Sequence, residues 1–142
     1  MASRTIIGCC CVFLLSLPVL TARGRDADPL VLAENGTTRY AIIIAAEPVD
    51  ADEHAAKELA LFLNEMTGAE FPIRRADAPA SAYEIVIGTT ARKSRADLPE
   101  NLKDDNWENF TLLREDAKLY ILGNIPRATL YGVYDFLDLD LG

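Results

Sequence analysis

The chain has 142 residues, with 14 Lys and Arg against 22 Asp and Glu, three cysteines and one histidine. A net charge of −8 argues against nucleic acid and anionic membrane surfaces as partners, because both bind through a basic footprint. Cys9, Cys10 and Cys11 all fall in the N-terminal segment and His54 stands alone, so the remainder has no disulfide framework and no Cys/His zinc constellation; any metal would be a hard, oxygen-bound ion, and no cofactor is expected.

Met1 to Arg4 carries a positive charge, Ile6 to Leu20 is an apolar run, and small and polar residues follow around Thr21, Ala22 and Gly24. That order predicts a signal peptide over residues 1–24, cleaved after Ala22 or Gly24, and hence a secreted or periplasmic protein. A stable membrane anchor fits less well, since Ser16 and Pro18 interrupt a run that is shorter than the roughly 20 residues of a span. Lipid attachment at Cys9 would leave too little apolar segment ahead of it. Removing residues 1–24 takes Arg4 and Arg23 and no acid, leaving 12 basic against 22 acidic side chains, a balance of −10. Residues 25–142 are enough for one domain with its own core, although not for a catalytic barrel.

Within that domain, Arg25 to Asp28 is a polar linker. Leu30–Leu32 and Tyr40–Ile44 are strand candidates around the Asn35-Gly36 turn, which predicts a hairpin. Ile42, Ile43 and Ile44 do not alternate with polar residues, so the second strand should be covered on both faces. From Asp50 the period changes: Ala55, Leu59, Phe62, Leu63 and Met66 form an apolar stripe on a helix that Asp50 or Asp52 can cap and Gly68 can end. Phe71–Arg74 is a short strand that Pro72 restricts to an edge or a strand start. Tyr83–Gly88 is an inner strand, and residues 91–108, polar and carrying five acids, make one helical turn and a surface excursion. Phe110–Arg114 and Lys118–Leu122 predict a second hairpin around Glu115-Asp116-Ala117. A last helix begins at Pro126, with Leu130, Tyr134, Leu137 and Leu141 at helical spacing and Gly132 allowing close packing. The order β, β, α, β, β, β, β, α defines a two-layer α+β domain, a mixed β-sheet with two helices on one face.

Few side chains in this set can run a reaction. His54 lies in the first turn of the first helix with no nucleophile beside it and reads as a structural or surface residue. Asp135, Asp138 and Asp140 offer paired carboxylates, the equipment of glycoside hydrolysis, yet they flank a helix stripe and read first as a solvated face; Asp104 and Asp105 are adjacent acids in a polar loop. Gly88-Thr89-Thr90 follows a strand but has neither the glycines nor the Lys-Ser/Thr pair of a phosphate loop. Tyr83, Tyr120, Tyr131 and Tyr134 fall where core packing explains them, which leaves Trp107 as the aromatic to test for a ligand or a neighbouring domain. Asn35-Gly36-Thr37 and Asn109-Phe110-Thr111 match the glycosylation acceptor pattern.

Three stretches taken together resemble a known family: Glu84-Ile85-Val86-Ile87-Gly88, Leu119-Tyr120-Ile121-Leu122-Gly123, and Pro126 to Leu137 with Leu141-Gly142, whose most specific part reads Arg-x-x-Leu-Tyr-Gly-x-Tyr-x-Phe-Leu. They resemble the non-catalytic N-terminal domain of secreted glycoside hydrolases, that of alpha-glucuronidases and its relative in beta-N-acetylhexosaminidases, over Leu30 to Gly142. The resemblance implies a mixed sheet with helices on one side, and a partner in a following catalytic (β/α)-barrel that carries the active acids. It implies no catalytic role for Arg127, Tyr131 or Tyr134 and no catalytic, cofactor-binding or metal residue in this chain. Ala128 departs from the glycine that relatives often carry after the arginine. An autonomous carbohydrate- or protein-binding module is the alternative, and a self-contained small enzyme lacks the residues it would need.

Overall fold

The computed structural model describes residues 29–140 except positions 90 and 105; the expected leader over 1–24 and Leu141 lie outside the described residues. Five strands form one mixed sheet: β1 (Ala41–Ile44), β2 (Ile73–Arg75), β3 (Glu84–Ile87), β4 (Phe110–Glu115) and β5 (Lys118–Gly123), in the spatial order β2-β1-β3-β5-β4. Neighbours pair in parallel except β4, which runs antiparallel to β5. Helices α1 (Asp50–Thr67) and α2 (Pro126–Asp135) pack on one face, and Phe136–Asp140 prolongs α2 as a π-helical turn. This is the two-layer α+β domain that the element order predicts.

The three inner strands β1, β3 and β5 distribute their side chains between two apolar clusters. Ile42, Ile44, Ile85, Ile87 and Ile121 point toward Ala55, Leu59 and Leu63 of α1 and Val133 and Phe136 at the end of α2. The alternate residues Ala41, Ile43, Val86, Tyr120 and Leu122 meet Ala91, Leu98 and Leu102 on the opposite face. Residues 41–44 are therefore buried on both sides, as their unbroken apolar run requires. The polar stretch after β3 is not only a surface excursion. It folds into two 3-10 turns, Arg95–Asp97 and Glu100–Leu102, and Leu98 between them and Leu102 in the second close the second face.

The first predicted hairpin does not form. Asn35 and Gly36 make the expected turn, with φ of 51° and 72°, and Glu34 and Thr37 exchange backbone hydrogen bonds of 2.9 and 3.0 Å. Leu30–Leu32 nevertheless pairs with no strand, because β2 and β3 already occupy both edges of β1. Leu30, Leu32 and Ala33 instead pack against the helical-side core. Pro72 precedes the edge strand β2, where a missing N–H costs nothing, and its carbonyl accepts from the Ile42 N–H at 2.9 Å. The second hairpin forms as expected, with Asp116 left-handed at φ 53° in its turn.

Both helices depart from expectation in which residues they bury. Val49, not Asp50 or Asp52, is the N-cap of α1, and it makes no side-chain cap. Gly68 ends α1 in the left-handed conformation, its N–H donating to the Asn64 carbonyl at 2.8 Å. The stripe sinks Ala55, Ala56, Leu59 and Leu63 but leaves Phe62 and Met66 in solvent. In α2 the inner face is Ala128, Thr129, Gly132 and Val133; Leu130 and Leu137 are half-buried and Tyr134 is exposed. Small residues win the inner face because α2 lies close on β4 and β5: a Cβ on Gly132 would sit 3.1 Å from Ile121 and 3.2 Å from Phe110.

Candidate functional site

The carboxyl-terminal edge of the parallel strands is where such sheets open a crevice, at the point where successive connections leave to opposite faces. Here β1 continues into α1 on one face and β3 into residues 91–102 on the other. Asp52, third residue of α1, and Gly88, just past β3, meet at that point. Gly88 holds φ at 81°, and a Cβ there would fall 2.9 Å from Asp52 Oδ2. Asp52 is 8% exposed, and its carboxyl Oδ1 has no hydrogen-bond partner. Burial pushes its pKa up to about 6. That value suits a general acid, yet the group is enclosed by protein rather than open to a substrate, and glycoside hydrolysis needs a second carboxyl about 5–10 Å away.

A second charged cluster lies at the opposite edge, where β3 and β5 begin. Glu84 is completely buried. Its Oε1 accepts from Arg92 Nη2 at 2.9 Å and from the Ser81 N–H at 2.9 Å, while Oε2 accepts from Lys118 Nζ at 3.0 Å. Arg92 also donates to the carbonyls of Ala76 and Ala78 at 2.6 and 3.2 Å. Burial by itself would raise the Glu84 pKa, but the Ser81 N–H and the two cations outweigh it and hold the group below its ordinary value. A carboxylate so fully engaged ties the 76–84 loop to the sheet and offers no oxygen to a ligand.

The third feature is a groove of about 450 Å³ on the outside of the helical layer, between Glu58, Phe62 and Met66 of α1 and Tyr134, Leu137 and Asp138.

The residues singled out in the sequence do not converge. His54 is exposed, as is Asp138, and Asp135 is half-buried. Asp104 is engaged locally, its Oδ1 accepting from the Asn106 N–H at 2.9 Å and from Asn106 Nδ2 at 2.6 Å; Asp105, Thr90 and the Asp140 side chain lie outside the described residues. Asn35 is exposed in its turn, whereas Asn109 is half-buried. Tyr120 is buried and Tyr83 half-buried, but Tyr131 and Tyr134 are exposed, contrary to their expected place in the core. Arg127 pairs with Glu108, and Asn124 donates to the carbonyls of Asp104 and Trp107, so the motif's first turn anchors the loop that carries Trp107. Trp107 itself is 75% exposed. Sequence reasoning missed Asp52 and Glu84. For Glu84 a signal existed: an acid heading a fully apolar inner strand requires cations nearby, and Arg92 and Lys118 were available.

Among the described residues no group of three or more His, Cys, Asp or Glu could hold a metal, and no helix is long and apolar enough to cross a membrane. One enclosed carboxyl, one saturated ion cluster and an apolar outer groove are the features that stand out among the described residues. Residues 32–136 match the family described as glycosyl hydrolase family 67 N-terminus, the alpha-glucuronidase family, and the chain belongs to it. It is the non-catalytic N-terminal domain of a glycoside hydrolase. No curated protein matches the chain.

Proposed function

We propose that this domain is exported on a leader formed by residues 1–24 and serves as the N-terminal module of an alpha-glucuronidase whose catalytic (β/α)-barrel follows it in the same polypeptide. The observation that carries the reading is the extent of the family match. It begins at Leu32, which packs on the helical-side core, and ends at Phe136, a buried residue of that core, so the match spans all five strands and both helices. The sign of the net charge agrees, since it suits neither nucleic acid nor anionic membrane.

Export is tested by mass spectrometry of secreted material, which should show a new N-terminus between Arg23 and Asp28; an intact Met1 on exported protein would contradict it. The barrel is tested by the product of the complete reading frame. A mature chain long enough for a barrel, active on uronides, supports the proposal, and a product ending at Gly142 refutes it.

A further inference from the structure

We propose that the outer groove of the helical layer, walled by Phe62 and Met66 of α1 and by Tyr134 and Leu137 at the end of α2, is the seat of the next domain in the same polypeptide. The inference rests on the family reading above and adds the surface. Phe62, Met66, Tyr134 and Leu137 belong to the apolar stripes that the periodicity assigns to a core. The domain's own sheet does not cover them all: Phe62 is 39% exposed, Met66 49% and Tyr134 41%. Leu61 and Tyr131, each one turn from a groove residue, are 50% and 46% exposed and extend the patch. The helices thus carry more apolar surface than this fold buries, and contiguous exposed apolar side chains mark a binding face.

Area and connectivity choose the occupant. Five large apolar side chains, each about half exposed, leave on the order of 400 Å². A freely associating second copy needs about 800 Å² per partner, whereas interfaces between domains of one chain bury about 600–1,500 Å² counted over both sides. The patch fits the second class. Tyr134, Leu137 and Asp138 wall the groove, and they lie on the last described turns of the chain. A domain attached there by a short linker meets the patch at an effective concentration of order millimolar, and a modest contact then suffices. Glu58 and Asp138 are acidic members of the lining, so the docked surface should be apolar at its centre with basic residues at its margin.

Hydroxyl-radical footprinting of the intact hydrolase tests the surface, with Trp107 as the exposed reference and Phe71 and Tyr40, both 3% exposed, as buried references. After correction for intrinsic reactivity, Phe62, Met66 and Tyr134 should react at least about tenfold more slowly than Trp107 and near the buried references. Phe62→Asp should restore the reactivity of Met66 and Tyr134 and split a merged thermal transition in two. Groove residues that react at the rate expected of half-exposed side chains, or protection that disappears on dilution as a dimer dissociates, would overturn the proposal. The mass of the mature product separates the two claims. A chain ending at Gly142 removes both, whereas a longer chain with a reactive groove overturns the docking surface alone.

Discussion

Asp52 and Glu84 show how two buried acids at opposite edges of one sheet acquire opposite pH behaviour. Asp52 has lost water and gained no hydrogen bond at Oδ1, so its carboxyl is easier to protonate in the folded state, at about pH 6 against 3.8 for the free group. The folded state therefore holds the proton more tightly, and the domain loses stability as pH rises from about 4 through 6, by at most about 3 kcal/mol. Replacing Asp52 with Ala removes this slope. Urea melts at about pH 3.5 and pH 7 should show the stability difference moving in the variant's favour by about 2–3 kcal/mol at the higher pH, and an unchanged difference would mean that Asp52 is solvated. Glu84 has the reverse sign: its folded pKa is held below 4.5, so its contribution is present above that value and lost as pH falls through the folded pKa. Glu84→Gln leaves Arg92 and Lys118 without their shared carboxylate and should cost about 3–5 kcal/mol near neutral pH, read from the same denaturation curves.

Two junctions between elements hold the layers together. Gly123 ends β5 against the first turn of α2, and a Cβ there would lie 2.1 Å from the Thr129 nitrogen, which is backbone and cannot move aside. Gly123→Ala should cost about 3 kcal/mol or more, enough to abolish a cooperative thermal transition in a small domain. The second face depends on Leu98 and Leu102, and Leu102→Ala, at a residue 1% exposed, should cost about 2–5 kcal/mol. A melting temperature unchanged by Leu102→Ala would mean that residues 91–102 do not close that face. Most of this scale was legible in the sequence: the double-sided burial of residues 41–44, the glycine stop of α1, the edge strand after Pro72 and the second hairpin all follow from local chemistry. The pairing of Leu30–Leu32 was not, because it depends on β2 and β3, distant in sequence, occupying both edges of β1. Nor was the inner face of α2, where Ala128, Gly132 and Val133 displace the larger Tyr134; spacing marks which residues can share a face but not how closely two backbones approach. At the site, the surface position of His54 was readable, while Asp52 passed as a helix cap because its burial depends on Gly88.

At the scale of the whole molecule, the chain is the non-catalytic N-terminal domain of a glycoside hydrolase. Among the described residues, acids are enclosed singly, as at Asp52, saturated by cations, as at Glu84, or solvated on outer surfaces, as at Asp138. None of these arrangements provides the pair of carboxyls, one held protonated, that flanks a glycosidic bond during hydrolysis. The direct measurement is turnover of aryl glycosides, uronides and oligosaccharides by purified residues 25–142 beside the product of the complete reading frame, with circular dichroism confirming that each is folded. The expected result is no turnover by the 25–142 protein and hydrolysis by the longer product. Turnover by residues 25–142 that vanishes on replacing Asp52, His54 or Asp135, with the fold retained, would instead make this domain an enzyme in its own right.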